Sequence, residues 1–210
     1  LLLAIPSWCH AVGTWTALPA APGSIGLMLL LSDGTVMAQN SGVSSTWYRL
    51  TPDSAGHYAT GTWSTLQSMH DTRLYYSSQV LKDGRVFVAG GEYGTGYRTG
   101  ESYDPMTNKW TMAPPIVPSQ GISDACSEIL PDGRVLIAPV SASPFLSTQI
   151  WDPATNTWTS GPSVRGNQNE AVWVKLPDDS LLTVDIGSTN SERYIPSLNQ
   201  WVADSTVPVA

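Results

Sequence analysis

Polar side chains recur at one position of a repeated unit, and they are the residues of this sequence best suited to bind a ligand. The unit contains a turn that begins with Asp, and the residue eight positions earlier is Ile25, Tyr75, Asp124 or Glu170 in successive copies. Polar groups that converge at one place can bind a sugar or a cation. The predicted ligand-binding set adds nearby polar residues and comprises Asp71, Arg73, Tyr75, Asp124, Asn169 and Glu170. The alternative is structural: these residues bond neighbouring loops and bridging waters, and Arg73 pairs with an adjacent unit.

Residues for catalysis are scarce by comparison. After Ala11 the chain has two histidines, His57 and His70, and one cysteine, Cys126. No H-x-H or HExxH spacing occurs, so a closed zinc site is not predicted. No G-x-S-x-G nucleophile motif occurs either. Cys126 is interpreted as a small buried apolar group, because no histidine stands near it in the repeat.

The repeat is visible in two independent markers. A turn of the Asp-Gly type accepts the positive φ angles of a tight hairpin, and it occurs at Asp33-Gly34, Asp83-Gly84, Asp132-Gly133 and, in degenerate form, Asp178-Asp179. Tryptophan recurs at intervals of 48, 47, 48 and 43 residues, at Trp15, Trp63, Trp110, Trp158 and Trp201. A period of this length with four short strands per copy is typical of β-propeller blades. The predicted fold is all-β, with four-stranded blades near 24–66, 73–113, 124–160 and 169–204.

Strand alternation assigns the loops to two faces. The Asp-Gly turns join strands one and two, and turns such as Asp104-Pro105 join strands three and four, so both lie on one face. The opposite face carries the longer loops between strands two and three, including Glu92 to Gly100, and the connections between blades. The predicted ligand-binding residues lie on this second face, at the mouth of the central channel. Variable loops on a rigid scaffold are a usual place for binding.

The second unit resembles the kelch repeat. The resemblance rests on Arg73, an aromatic pair, the stretch DGRVFVAGG with its double glycine, and the spaced Tyr103 and Trp110 of YDPMTNKW. It covers about residues 15 to 203 and implies a kelch-type β-propeller that closes with six or seven blades. We therefore expect about four blades of a partial ring, with roughly two or three more after Ala210. The segment around Trp15 is expected to be a fourth strand that completes the blade made by the other terminus.

The stretch RLYYSSQVLKDGRVFVAGG is also similar to blades of galactose oxidase and glyoxal oxidase, which are secreted copper-radical enzymes. That resemblance implies tyrosine and histidine ligands for copper at the channel mouth. Tyr75 matches the aromatic position, but Tyr76 stands where the family has His. The oxidase is therefore the alternative hypothesis, in which the copper ligands lie beyond Ala210. On the favoured hypothesis no cofactor or metal is expected.

Composition and the N-terminus limit the partners and the location. The formal charge is −7 and only 10 of 210 residues are Lys or Arg, which disfavours nucleic acid because phosphate binding needs a basic surface. No apolar run is long enough for a membrane span. LLLAIPSWCHA resembles the end of a secretory signal peptide cleaved after Ala11. The sequence thus predicts a secreted or cell-surface, non-enzymatic propeller over residues 12–210 that binds a glycan or a protein.

Overall fold

The computed structural model describes residues 13–116, 121–141 and 147–208, and these residues form four antiparallel four-stranded sheets. No helix occurs among them. The signal-peptide prediction falls on residues 1–12 and lies outside the described part of the chain. Four sheets in sequence order confirm the predicted all-β repeat.

Each sheet is one blade, and the strand order follows the sequence. Blade 1 contains β1 (Ile25–Leu30), β2 (Val36–Asn40), β3 (Trp47–Thr51) and β4 (Thr62–Thr65). The second unit contains β5 (Arg73–Leu74), β6 (Ser77–Val80), β7 (Val86–Ala89), β8 (Tyr93–Gly94), β9 (Gly100–Asp104) and β10 (Lys109–Met112). Blade 3 contains β11 (Gly121–Ile129), β12 (Val135–Ser141), β13 (Ser147–Asp152) and β14 (Thr157–Ser160). Blade 4 contains β15 (Val174–Lys175), β16 (Leu181–Val184), β17 (Ser191–Ile195) and β18 (Gln200–Ala203).

Blade 2 differs from the sequence prediction in one respect. Its four-stranded sheet is β6, β7, β9 and β10, whereas β5 and β8 form a separate two-stranded ribbon. The loop after the double glycine is therefore partly strand, because Tyr93 and Gly94 pair with Leu74 and Arg73. The ribbon ties this loop to the connection that enters blade 2.

The Asp-Gly turns form as predicted, and the side chain of the Asp helps to make them. The Oδ1 atom of Asp83 accepts the backbone N–H of Arg85 at 3.1 Å, and Gly84 adopts a φ of 87°. The degenerate fourth turn keeps this geometry, because Asp178 accepts the N–H of Ser180 at 3.0 Å and Asp179 adopts a φ of 65°. A non-glycine residue can take this left-handed conformation most readily when it is Asn or Asp.

Four of the five repeated tryptophans lie in fourth strands, but Trp15 does not. Trp63, Trp110, Trp158 and Trp201 belong to β4, β10, β14 and β18. Trp15 forms no strand and its side chain is fully exposed, so its predicted place in a fourth strand is wrong for this chain. The reason is that no described strand lies beside it to form hydrogen bonds with its backbone.

The connection after Trp15 nevertheless makes the same contact with the next blade as the later connections do. The Trp63 indole donates to the carbonyl of Pro19 at 3.0 Å. The Trp110 and Trp158 indoles donate in the same way to Gln67 (2.9 Å) and Pro114 (2.8 Å), each four residues after the preceding repeated tryptophan. Each bond fastens the connection that enters a blade to the outer strand of that blade.

The apolar core lies between blades. Met37 and Trp47 of blade 1 pack on Val88 and Tyr103 of blade 2, and similar buried clusters join blade 2 to 3 and blade 3 to 4. The face of blade 1 that points away from blade 2 is exposed to solvent among the described residues, and the Leu30 side chain on it is 64% exposed. The three buried interfaces hold the ends of the innermost strands in fixed relative positions, and those ends carry the candidate site.

Candidate functional site

A cavity of about 420 Å³ lies where the innermost strands of blades 2, 3 and 4 begin. It is lined by Tyr75, Tyr76, Glu92, Asp124, Ala125, Cys126, Glu170 and Ala171. Three of the predicted ligand-binding residues, Tyr75, Asp124 and Glu170, are thus brought together from three blades. We call this cavity the mouth pocket.

The backbone explains why the three equivalent residues meet. Tyr75, Asp124 and Glu170 all adopt a left-handed conformation, with φ values of 54°, 48° and 59°. In blade 3 this conformation coincides with an irregularity in the β11–β12 pairing, between Ile122 and Cys126. Such a kink in or before an innermost strand redirects one side chain. Ile25, at the same sequence position, begins β1, whose pairing with β2 is also irregular between Ile25 and Met28, but Ile25 does not have a positive φ and does not line the pocket.

Backbone hydrogen bonds hold the wall of the pocket together. The N–H of Glu92 donates to the carbonyl of Tyr75 at 3.3 Å, and the N–H of Glu170 donates to the carbonyl of Asp124 at 3.2 Å. The second bond joins blade 3 to blade 4. The positions of the acidic side chains are therefore set by the scaffold.

The mouth pocket is acidic and aromatic. Within the described residues, none of Glu92, Asp124 and Glu170 forms an ion pair. Beside them Tyr75 is 60% exposed, and its ring meets the half-exposed ring of Tyr93 edge-on with centroids 6.1 Å apart. A hydrogen bond to Glu92, together with the Glu92 charge, raises the pKa of Tyr93. The pocket therefore presents hydrogen-bond acceptors and aromatic faces to solvent.

The two other polar groups of the pocket, the Tyr76 hydroxyl and the Cys126 thiol, are hydrogen-bonded and unreactive. The Tyr76 hydroxyl donates to Gln39 Oε1 at 2.8 Å, and burial raises the pKa of Tyr76. The Cys126 thiol donates to the carbonyl of Ala171 at 2.6 Å, and burial raises the pKa of Cys126. A thiol held in this form is a poor nucleophile, but Cys126 is half-buried and lines the pocket, unlike the buried apolar group that the sequence analysis expects.

Comparison with known proteins identifies the fold. Residues 74–116 match the family model described as Kelch motif. The solved structure of YjhT is similar to this chain with a TM-score of 0.63 and 15% sequence identity, covering 92% of this chain and 69% of that chain. The chain has the fold of a β-propeller, and its second blade matches the kelch motif. A curated relative, the spermatocyte protein spe-26 of Caenorhabditis elegans, is 37% identical over 75 residues, 32% of this chain and 13% of the relative. The chain thus matches only a small part of that relative's length.

Arg73 has a structural place in the propeller. It is fully buried, and its Nη1 atom donates to the carbonyls of Gly90 (2.7 Å), Gly96 (2.7 Å) and Thr99 (2.9 Å). Its Nη2 atom lies 3.1 Å from Glu101 Oε1. These partners all belong to blade 2, so the expected pairing with an adjacent blade is not what the structure contains. Arg73 does not line the mouth pocket.

Asp71 and Asn169 also lie outside the pocket wall. The Asp71 carboxylate accepts the hydroxyls of Thr95 (2.8 Å) and Thr99 (2.6 Å), and thereby fixes the loop between β7 and β9. The N–H of Asn169 donates to Asn167 Oδ1 at 3.0 Å. Of the six predicted residues, the pocket therefore brings together Tyr75, Asp124 and Glu170.

The described residues do not fit a copper centre. His70 Nδ1 is 2.8 Å from Glu101 Oε2, and exposed His57 lies 3.4 Å from Asp53 in the turn between β3 and β4. Neither histidine lines the mouth pocket, and Tyr76 occupies the histidine position of the oxidase motif. Copper is held in proteins mainly by imidazole or thiolate ligands, which this wall lacks apart from the protonated thiol of Cys126. In the part of the chain that the structure describes, no three His, Cys, Asp or Glu side chains converge in a way that could hold a metal.

Two acidic features escaped the sequence interpretation. Glu92 lines the mouth pocket, and only its place directly after the double glycine could have suggested this. Asp185 and Glu192 bring two carboxyl groups together in blade 4. Burial, followed by a hydrogen bond to Glu192 and its charge, raises the pKa of Asp185 to about 7.

No helix among the described residues is long and apolar enough to cross a membrane.

Proposed function

We propose that this propeller is a non-enzymatic binding protein, secreted or exposed at the cell surface, that takes a glycan or protein ligand in the mouth pocket. The observation that supports it is the convergence of Tyr75, Asp124 and Glu170 from three blades on one cavity of about 420 Å³. That volume falls within the range of small-molecule sites. The Tyr76 hydroxyl and the Cys126 thiol of the cavity are already hydrogen-bonded, which favours binding over catalysis by these two groups.

The chemistry of the wall suits ligands with several donors. Sugar hydroxyls or the N–H groups of a protein can donate to the carboxylates, and the exposed Tyr75 ring offers a flat apolar surface for a sugar ring or a side chain. Tyr75 and Tyr76 also line a second cavity of about 280 Å³ between blades 1 and 2. A ligand longer than one sugar or one side chain could thus contact both cavities at the tyrosines that they share.

Binding is expected to depend on the side chains of the three blades. Because Asn tolerates the left-handed conformation, Tyr75→Asn and Asp124→Asn remove the ring or the charge without straining the backbone. We expect Tyr75→Asn to weaken binding about 10- to 100-fold and Asp124→Asn about 5- to 10-fold, as for ~1 to 3 kcal/mol of lost contact. The measurement is a dissociation constant for the best ligand from a glycan array and from a panel of purified extracellular proteins.

Asp179→Asn is the matched control, because Asp179 has a φ of 65° and an exposed side chain on the opposite face. It should bind as the wild type does. Ligands that bind all four proteins equally would show that the mouth pocket is not the site. Peroxide produced from an alcohol or aldehyde by the copper-loaded protein would instead support the oxidase alternative.

Export is the second half of the proposal. If residues 1–11 end a signal peptide, the mature protein loses them, since signal peptidase cleaves after a small residue such as Ala11. We expect N-terminal sequencing of the exported protein to begin at Val12 or within a few residues of it. A product that retains Leu1 inside the cell would contradict export.

A further inference from the structure

Blades 2 and 4 share a buried glutamate that caps the connection entering the blade. In blade 2, Glu101 accepts the N–H groups of His70 (2.8 Å) and Asp71 (3.1 Å). In blade 4, Glu192 accepts those of Arg165 (2.7 Å) and Gly166 (2.8 Å). Both carboxylates are almost completely buried. The two glutamates and the N–H groups that they accept therefore occupy equivalent positions in the two blades.

The equivalence extends to the strand that faces the glutamate. In blade 2 the N–H of Gly90 donates to the carbonyl of Thr99 at 3.0 Å, and in blade 4 the N–H of Asp185 donates to the carbonyl of Asn190 at 3.0 Å. Asp185 thus stands where blade 2 has Gly90. Blade 4 thus has the carboxylate of Asp185 at a position where blade 2 has a glycine without a side chain.

The positive charge of blade 2 is missing from blade 4. The guanidinium of Arg73 lies 3.1 Å from Glu101 and neutralises it. The equivalent residue of blade 4 is Gln168, which is fully buried and whose Nε2 atom has no partner among the described residues. Blade 4 has therefore lost a cation and gained an anion around the same buried glutamate. Two buried carboxylates without a cation paired to either of them are unfavourable.

A cavity opens beside this pair. It measures about 310 Å³ and is lined by Arg165, Asp185, Asn190, Ser191, Glu192, Ala203, Asp204 and Thr206. Asp185 is only 6% exposed, and its buried Oδ1 atom has no hydrogen-bond partner among the described residues. An unpaired buried carboxylate oxygen on a polar cavity is the feature of an incomplete ligand site.

The other charged groups around the cavity do not complete it. The Asp204 carboxylate is 2.6 Å from Arg193 Nε, so these two charges neutralise each other. The Arg165 side chain is exposed and makes no ion pair with any residue that the structure describes, although its charge acts to lower the pKa of Asp185. Asp185 and Glu192 both line the cavity, and burial, followed by a hydrogen bond to Glu192 and its charge, raises the pKa of Asp185.

We propose that this cavity binds a hard divalent cation, Ca²⁺ or Mg²⁺, between Asp185 and Glu192, in the role that the Arg73 guanidinium has beside Glu101. Both cations prefer carboxylate, amide and water oxygens. Glu192 keeps free lone pairs beside its two accepted N–H groups, and Asn190, whose side chain carries an amide oxygen, also lines the cavity. Two carboxylates need water to complete the coordination, and the volume of the cavity leaves room for it. The site is separate from the mouth pocket and does not depend on the function proposed for it.

The test is thermal unfolding of the full chain at about pH 8, with a chelator and then with CaCl₂ or MgCl₂. A site of the affinity common in extracellular modules, about 10⁻⁴ to 10⁻³ M, should raise the melting temperature by about 2 to 9 °C at ~5 mM cation. Asp185→Asn should lose this shift. Gln168→Arg should lose it too, because it restores the internal cation of blade 2, and it should melt higher than the wild type in chelator.

The matched control is Asp179→Asn, an exposed carboxylate of the same blade that should keep the full shift. Equal shifts in the wild type and in Asp185→Asn would mean general ion binding and would overturn the proposal. No shift in the wild type would overturn it as well. Isothermal titration of both proteins with CaCl₂ gives the same decision for a variant whose unfolding is not reversible.

Discussion

Replacing Arg73 with alanine is expected to lower the free energy of unfolding by about 3 to 5 kcal/mol, as found when one partner of a buried ion pair is removed. Arg73 is fully buried and satisfies three carbonyls of the loop between β7 and β9. Its removal also leaves the buried Glu101 carboxylate without its guanidinium partner. The measurement is urea unfolding followed by tryptophan fluorescence.

Arg73→Lys separates charge from geometry. Lysine keeps a positive charge, but its single ammonium cannot reproduce the planar set of donors that reaches Gly90, Gly96 and Glu101. We expect about half of the loss seen with alanine. If Arg73→Ala costs less than about 1 kcal/mol, comparable to an exposed pair, the buried network does not stabilise blade 2 as argued.

Arg73 illustrates what a local pattern in the sequence can and cannot decide. Its polarity and its place near Tyr75 made it a candidate ligand-binding residue. The structure buries it because the carbonyls of Gly90 and Gly96 turn inward, and a glycine-rich loop gives no sequence signal of that direction. Polar type and proximity in sequence identify a region, whereas the partners of each side chain depend on how the loop folds.

The blades themselves were predictable because their signals are local and repeated. The Asp-Gly turns fix where strands one and two meet, and an Asp side chain bonds the backbone two residues later whatever the rest of the chain does. Equal spacing from that turn aligns Tyr75, Asp124 and Glu170, which share a left-handed backbone conformation, but it also aligns Ile25, which does not. Trp15 carries the same signal, yet it forms no strand because a strand requires a neighbour.

Contacts between blades were harder to predict from the sequence. Glu92 and Asp185 both follow the second strand of their blades, in loops that differ in length and composition from copy to copy. The neighbours of Glu92 come from blade 3 and from the connection that enters blade 2, and those of Asp185 come from β17 and from the connection that enters blade 4. The repeat therefore predicts the scaffold, and the departures from the repeat carry the candidate site and the carboxylate pair.

Trp151→Ala should destabilise the propeller by about 3 to 5 kcal/mol, the usual cost of truncating a buried large aromatic side chain. Trp151 is 1% exposed, and its ring stacks on Phe87 of blade 2 with centroids 3.9 Å apart and planes 7° apart. Its indole also donates to Asn156 Oδ1 at 3.1 Å. The change thus opens a cavity between blades and removes a bond that holds the turn between β13 and β14.

The repeat supplies the control. Blades 2 and 4 have tyrosine at this position, and the hydroxyls of Tyr103 and Tyr194 donate to Asn108 (2.9 Å) and Asn199 (3.0 Å) as the Trp151 indole does to Asn156. Trp151→Tyr keeps an aromatic ring and a donor, so it should cost less than ~2 kcal/mol, as for a core substitution that nearly conserves volume. If Trp151→Tyr and Trp151→Ala unfold at the same urea concentration, the ring contact between blades 2 and 3 contributes nothing to the free energy of unfolding. The stability of the four blades must then come from contacts within each blade. A clear separation between them would show that the blades are held together by these aromatic positions, on which the shape of the mouth pocket depends.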